Sequence, residues 1–416
     1  MNVVIIIPTF NEKGNIERLV TILEDKIFPT IKNHRMHILV VDDSSPDGTA
    51  DVVEVLIKKH INLHLLKNGE KLGLGAAYIR GMTCAIEKLD ADVMFEMDAD
   101  LSHDPKKVPQ FLQKIDEGYD MVIGTRYSQG GSIPPNWGFI RKVYSVFGNV
   151  LVRSILMRFS IHDWTGGFRA LRKQVFLKEK PELTAFKGYT FQVSFLHKTV
   201  RDGFSVAEVP IAFTDRTLGR SKIVPKEYIV DLLRYVITAR IKELKRFIKF
   251  LIVGGTGFFV QLVSQEFSVR IGVASVIALA LSPVIFLVTR HHGIVALRDA
   301  SGGAIGAEMA ILSNFIFNNF WTFNDTKKLK ERSNFFIRLL KFNTTSLISI
   351  FIQASSIWFF VRLLGDMLTI FSYTIPTRIV VVIPTIIFII IPLNYLIYNK
   401  IIWKTQYLKD EQLTQA

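Results

Sequence analysis

Along the first 125 residues, short and almost unbroken apolar runs alternate with stretches whose apolar positions recur every three to four residues. The runs at 3–8, 36–42, 62–66, 92–97 and 119–124 read as strands. The stretches at 14–28, 48–60, 73–88 and 104–117 read as helices, the last opened by Asp104-Pro105 as cap and first-turn pair. Continuous apolar strands, rather than alternating ones, suit a mostly parallel sheet covered on both faces. The pattern loosens from 126 to about 222, with a helix near 138–157 and short strands around 167–171 and 205–214. Residues 225–249 then predict an amphipathic helix. Ile229, Leu232, Leu233, Val236, Ile237 and Leu244 share one side, and Arg240, Lys242, Lys245, Arg246 and Lys249 gather towards its end.

Past 247 the apolar runs lengthen to membrane dimensions: 248–268, 342–363 and 377–399, with weaker runs at 274–289 and 303–321. Basic residues sit beside two of the connections, in 240–249 and in 324–341, and none lies in 364–376. The positive-inside rule puts the two basic connections on one side, so an even number of crossings separates them. The expectation is four crossings, with 274–289 re-entrant or interfacial. The first strand follows Met1-Asn2 directly, without a basic leader or cleavage site, so the first half is expected on the cytoplasmic side.

Composition changes the picture at two points. A chain of 416 residues that is 49% hydrophobic is not a disordered one. A single cysteine, Cys84, excludes a disulfide scaffold and any cysteine-based metal centre. The net charge of +14 raises nucleic-acid binding, but residues 1–240 hold 33 basic and 28 acidic side chains against 18 and 9 in residues 241–416. Basic excess concentrated between apolar spans fits an anionic membrane leaflet and argues against nucleic acid as partner.

Candidate chemistry lies just after the strands, where open α/β sheets bind ligands. The fourth strand ends in Asp98-Ala99-Asp100-Leu101-Ser102-His103. In extended backbone, residues two apart share a face, and two neighbouring carboxylates repel unless a cation sits between them. Mg²⁺ or Mn²⁺, held by one or two carboxylates and substrate phosphates, suits Asp98 and Asp100; a solvated acidic turn is the plainer reading. After the second strand, Asp43 is a candidate for nucleotide hydroxyl or base donors, while Asp47 is placed to cap the next helix. Glu12, after the first strand, either accepts from a nucleotide or favours the following helix N-terminus. Gly73-Leu74-Gly75 reads as helix packing.

Taken in order, Ile6-Ile7-Pro8-Thr9-Phe10-Asn11-Glu12, Val41-Asp42-Asp43-Ser44-Ser45-Pro46-Asp47-Gly48-Thr49, Met97-Asp98-Ala99-Asp100-Leu101 and Gly124-Thr125-Arg126-Tyr127 resemble the family 2 glycosyltransferases of GT-A fold, and among these the polyprenol-phosphate mannose synthases. Asp163 to Arg169, Val209 to Arg216 and Gly219-Arg220-Ser221-Lys222 extend the resemblance, which covers residues 1–225. The tail resembles a GtrA-like membrane domain through Lys249 to Gly255 and Glu308 to Phe323. The resemblance implies an α/β GT-A domain over 1–224, amphipathic juxtamembrane helices over 225–246, membrane helices over 247–403 and a polar tail over 404–416. It also implies that Pro8, Phe10, Glu12, Val41 and Asp43 line a guanosine site. Asp98, Ala99 and Asp100 would hold metal and diphosphate, and Arg126, Arg216 and Lys222 would meet donor or acceptor phosphates. Ser102 stands where relatives often carry a glutamine metal-side ligand, and Arg220 replaces an acid.

The implied reaction moves mannose from GDP-mannose to a polyprenyl (dolichyl) monophosphate in the bilayer, with inversion and with Mg²⁺ or Mn²⁺ as cofactor. Asp100, Arg126, Arg216 and Lys222 are the residues expected to carry it, with Arg141 a further phosphate candidate and His103 a weaker base candidate. Four rivals are weighed. UDP-glucose as donor is barely separated by these motifs. A processive polysaccharide synthase would carry a Gln-x-x-Arg-Trp segment, which is missing here. An inactive scaffold or lipid-sugar flippase is opposed by intact Glu12, Asp43, Asp98 and Asp100. A nucleic-acid binder is opposed by the charge distribution.

Overall fold

The computed structural model describes residues 1–183, 188–214, 226–280, 294–324, 334–370 and 373–403. It divides into two compact units, Met1–Ile241 and Lys242–Ala416.

The first unit is built on a seven-stranded sheet. Its strands are β1 (Asn2–Thr9), β2 (Arg35–Asp42), β3 (Leu63–Lys67), β4 (Val93–Glu96), β5 (Met121–Thr125), β6 (Arg169–Arg172) and β7 (Val206–Pro210), in the order β3-β2-β1-β4-β6-β5-β7. Only β6 runs against its neighbours, pairing antiparallel with both β4 and β5. Because side chains alternate across a strand, β1 supplies two cores at once. Val3, Ile5 and Ile7 pack with residues of α1 (Lys13–Ile22), α2 (Thr49–Ile57) and α4 (Val108–Asp116). Val4 and Ile6 pack with α3 (Leu74–Leu89), α6 (Lys173–Leu183) and α7 (Gly188–Arg201). Burial on both faces is why β1 reads as an unbroken apolar run.

The expected elements appear, with two additions and some shifted ends. The predicted 14–28 helix ends as α-helix at Ile22 and continues as one π turn, Leu23–Ile27. The Asp104 carboxylate caps the turn Pro105–Lys107, accepting from Lys106 N–H at 3.0 Å. Helices α6 and α7 were not expected: α6 carries Pro181 and five charges, and α7 opens on glycine, so neither shows a clean apolar stripe. α5 (Phe139–Leu156) buries only Asn149, Val152 and Leu156 and leaves Phe139 (80%), Ile140 (68%), Tyr144 (60%) and Phe147 (60%) exposed.

α8 (Lys226–Arg270) is one helix of 45 residues, so the expected domain edge at 247 falls inside an element. Leu232, Val236 and Ala239 belong to the core of the first unit, and Tyr235 Oη bonds His197 Nδ1 at 2.9 Å. Ile229–Arg270 of α8, Phe335–Leu364 and Val380–Ile402 are the helices, among the described residues, long and apolar enough to cross a membrane. The remaining crossing was expected at 303–321, where Ile294–Phe317 forms a helix of 24 residues. The expected 274–289 segment lies mostly outside the described residues. The 364–376 connection holds a small hairpin, Met367–Ile370 with Tyr373–Pro376.

Candidate active site

Pro8, Phe10 and Glu12 follow or end β1, Val41 and Asp43 do the same for β2, and Asp98 to Ser102 follow β4. These three strands are adjacent and parallel, so their carboxyl ends form one edge. Pro8 pairs in register with Val41, and Thr9 with Asp42. Val41 is fully buried against Ile6 and the backbone of Gly81, so its side chain belongs to the core and only its backbone faces the edge.

At the β1–β2 end, hydrogen bonds fix the loops. Asp42 Oδ1 accepts from Thr9 Oγ1 at 2.8 Å and Ser45 Oγ at 2.6 Å. The Asp47 carboxylate accepts from Lys13 N–H (3.1 Å) and Thr49 N–H (3.0 Å), tying the starts of α1 and α2 together. Burial opposes its ionisation, but these bonds win and hold its pKa below the usual carboxylate value. Asp47 thus acts as a structural anchor, one residue before the Gly48 cap. Glu12 Oε2 accepts from Asn15 Nδ2 at 2.7 Å, and the Glu12 carbonyl accepts the first amides of α1. Asp43 is buried and uses both oxygens on the loop before α3: Asn68 Nδ2 donates to one, and Gly73 N–H to the other at 2.8 Å. Gly73 has φ +89°, a conformation costly for a residue with Cβ, which is why glycine stands there. Gly75 serves packing, as expected, because a Cβ there would sit 3.1 Å from the Phe191 ring.

Asp98 and Asp100 leave the end of β4 in different settings. The Asp98 side chain is 38% exposed, whereas Asp100 is 5% exposed and accepts Ser102 N–H at 3.0 Å through Oδ1. Leu101, directly after Asp100, has φ +63°, so the turn is tight. His103 Nδ1 accepts the Asp98 backbone N–H at 3.1 Å, the ring stacks on Phe168 at 5.0 Å, and Nε2 lies 3.8 Å from Asp98 Oδ2. A neutral ring accepting at Nδ1 carries its hydrogen on Nε2, facing the carboxylate. His103 therefore braces the Asp98–Ser102 turn and does not present a free base. Tyr78 Oη donates to Asp98 Oδ1 at 3.4 Å; burial and the nearby Asp98 charge push its pKa well above that of a free phenol.

Beneath this turn lies a buried charge pair. Glu96 and Arg169 are paired across β4 and β6, both side chains are fully buried, and Nε stands 4.0 Å from Oε2. Burial lifts the Glu96 pKa to about 7, against the pull of Arg169. Arg169 donates to the carbonyls of Gly166 (2.9 Å) and Gln192 (2.7 Å), holding the 163–167 loop. A charged residue in an apolar strand was the visible signal for Glu96; nothing in the sequence named its partner.

On the β5 side, Arg126 forms a two-pronged pair with Asp163: Nε to Oδ2 at 2.7 Å and Nη2 to Oδ1 at 2.8 Å, with Nη2 also 2.8 Å from Thr165 Oγ1. Asp163 is fully buried, which disfavours its charge, yet the Arg126 charge and hydrogen bonds keep its pKa below the usual value. This pairing was missed in the sequence and orients Arg126 from the side of the 163–167 loop. Arg141 stacks on Trp137 at 3.9 Å. Arg216 and Lys222 lie outside the described residues.

Among the described residues no three His, Cys, Asp or Glu side chains gather as a metal cage. Two carboxylates at a strand end still fit a hard divalent cation, which commonly takes one or two carboxylates and completes its shell with phosphate oxygens and water.

The comparisons with known proteins agree with this architecture. The family described as "Glycosyl transferase family 2" matches residues 4–178, and "GtrA/DPMS, transmembrane domain" matches residues 272–403. The chain is 40% identical over 222 residues (53% of this chain, 80% of the relative) to polyprenol monophosphomannose synthase of Mycolicibacterium smegmatis. It is 36% identical over 248 residues (59% and 98%) to undecaprenyl-phosphate mannosyltransferase of Micrococcus luteus. It is also 33% identical over 351 residues (83% and 87%) to dolichol-phosphate mannosyltransferase of Pyrococcus furiosus.

Proposed function

The chain belongs to the polyprenyl-phosphate mannosyltransferases of glycosyltransferase family 2, and we propose that it moves mannose from GDP-mannose to a polyprenyl monophosphate with inversion at the anomeric carbon. It is a glycosyltransferase with a GT-A catalytic unit joined to a membrane unit. The observation that carries the site assignment is the edge shared by β1, β2 and β4. There Glu12, Asp43, Asp98 and Asp100 emerge from adjacent parallel strands, and Asp98 stays partly open to solvent.

In this reading, Pro8, Phe10, Glu12, Asp43 and the Val41 backbone take the nucleoside. Asp98 and Asp100, with Ser102 beside them, hold Mg²⁺ or Mn²⁺ and, with the Ala99 backbone, the diphosphate. A bound divalent cation supplies neutralisation of the charge that develops on the departing diphosphate. The acceptor is a phosphate already ionised at neutral pH, so it needs guidance rather than a general base. The engagement of His103 Nδ1 with the Asp98 backbone supports a mechanism without one. Arg126, stiffened by Asp163, then aims a planar guanidinium, and Arg216 and Lys222 complete the positive lining.

The functional division we propose is catalytic over 1–224, amphipathic over 225–246, membrane over 247–403, and a polar tail over 404–416, with the catalytic unit on the cytoplasmic face. The membrane unit keeps the catalytic unit at the leaflet that holds the lipid acceptor, raising its effective concentration. The apolar outer face of α5, flanked by Arg141, Lys142 and Arg153, supports contact of the catalytic unit with the same lipid surface. The test is transfer by full-length protein in detergent with polyprenyl phosphate and a panel of labelled GDP- and UDP-sugars. Mannose transfer from GDP-mannose alone supports the reading, and preference for UDP-glucose replaces it.

A further inference from the structure

We infer that Lys71 reads the carbonyl edge of the donor's nucleobase, a specificity role resting on the assignment of the Phe10–Asp43 end to the nucleoside. The loop from Asn68 to Gly73 is pinned at both ends. Asn68 N–H donates to the Asp42 carbonyl at 2.8 Å, Ser44 Oγ donates to the Asn68 carbonyl at 2.6 Å, and Asp43 takes Asn68 Nδ2 and the Gly73 amide. At its exposed middle stands Lys71, whose ammonium lies 3.6 Å from the centroid of the Phe10 ring. Among the described residues this ring face is its one partner, with no carboxylate paired to it.

A cation held over an aromatic face is worth only about 0.5–1 kcal/mol at an exposed site, so the contact is easily exchanged. A base stacking on that face needs the place the ammonium now covers. The ammonium must then move, but the pinned loop keeps it within side-chain reach of Phe10, which puts it at the rim of the stacked base. An ammonium has three donors and no acceptor. It therefore bonds a base that offers acceptors at its rim, as guanine does through O6 and N7, and gains little from the amino edge of adenine. The same chemistry accepts the O4 of uracil, so Lys71 selects oxo bases over amino bases and leaves the purine–pyrimidine choice to the pocket.

The test is calorimetric titration of full-length protein in detergent with GDP and, separately, ADP. Lys71→Met keeps the length of the chain and removes the charge; Lys71→Arg keeps the donors. A charge-assisted hydrogen bond of about 1.5–3 kcal/mol predicts that Lys71→Met weakens GDP binding by about tenfold or more. ADP binding should change less than threefold, and Lys71→Arg should recover most of the GDP affinity. Wild-type GDP affinity in Lys71→Met, or equal losses for GDP and ADP, overturns the inference. Because the measurement needs no sugar transfer, failure of mannosyl transfer in the wild type counts against the proposed function alone.

Discussion

The two units bury opposite things. In the first, the strand valines and isoleucines are fully buried, and several polar residues that go inside are tied to a partner, such as Asp43 to Asn68 or Asp163 to Arg126. In the second, large apolar side chains face outward, with Phe351 72% and Trp358 63% exposed, while Asn318, Asn319, Thr322 and Ser349 are buried. Lipid is as apolar as a leucine, so burying apolar surface gives membrane helices little reason to associate. They meet instead through close backbone approach and polar contacts. Gly306 lies where a Cβ would stand 2.6 Å from the Gln261 carbonyl, Trp403 Nε1 donates to Asn319 Oδ1 at 3.3 Å, and Ser349 Oγ bonds Asn394 at 2.9 Å. The lesson is that exposure of apolar surface has different meanings by region. At α5 the first unit adopts the habit of the second.

The largest effect expected from this contrast concerns chemistry, which the comparison confines to the first unit. Asp98→Ala or Asp100→Ala should lower mannosyl transfer by about a thousandfold or more while thermal unfolding of the protein is unchanged. Turnover near wild type in chelator-treated buffer would remove the metal assignment from this turn.

The second effect is on assembly of the membrane unit. Gly306→Leu pushes a side chain into the Gln261 backbone, and overpacking of this kind costs about 1–3 kcal/mol. Detergent resistance of the membrane unit should fall, with GDP binding intact. A variant as robust as wild type would show that close approach of these helices is not what holds them.

A smaller effect is expected at α5. The double change Phe139→Ser and Phe147→Ser should leave transfer to a short soluble acceptor unaltered and slow transfer in anionic vesicles by about tenfold, given the apolar area withdrawn from lipid. Equal rates on both acceptors would return α5 to an ordinary surface helix.

The smallest is a pH effect at the β3 edge of the sheet. His37 and His64 touch across β2 and β3, Nδ1 to Nε2 at 3.3 Å, and burial, helped by Arg35 near His37 and by His37 near His64, lowers both pKa values. A histidine with a lowered folded pKa gives stability that is present above its unfolded value of about 6.5 and lost as pH falls through the folded one. Lowering the pH from 7.5 to 5 should therefore reduce the melting temperature, and His64→Gln should shrink that drop. An identical pH profile in the variant would exclude the pair as its source.

The sheet was legible because its central parallel strands, β1, β2, β4 and β5, are buried on both faces over most of their length, which writes unbroken apolar runs into the chain. The acids at the strand ends were legible because they interrupt such runs. Helices α6 and α7 were not, since Pro181 and the charges of α6 obscure a stripe that only packing against α3 reveals. The continuity of α8 across 247 was missed for a related reason. A change of composition at 247 marks a change of solvent, and a helix can pass through one without breaking.

By itself, then, the sequence determined the layer order, the edge on which ligands gather, the acids that reach it and the apolar spans that follow. Those are properties of local periodicity and of residue type, readable one segment at a time. Which partner each charge received was decided by the tertiary structure. β6 runs antiparallel between β4 and β5, and that one reversal sets Arg169 against Glu96 beneath the Asp98–Ser102 turn. It also leads the chain back past Asp163, which takes the Arg126 guanidinium. Residues 96 and 169, or 126 and 163, meet only when strands distant in sequence are laid side by side, and no periodicity along the chain encodes that meeting.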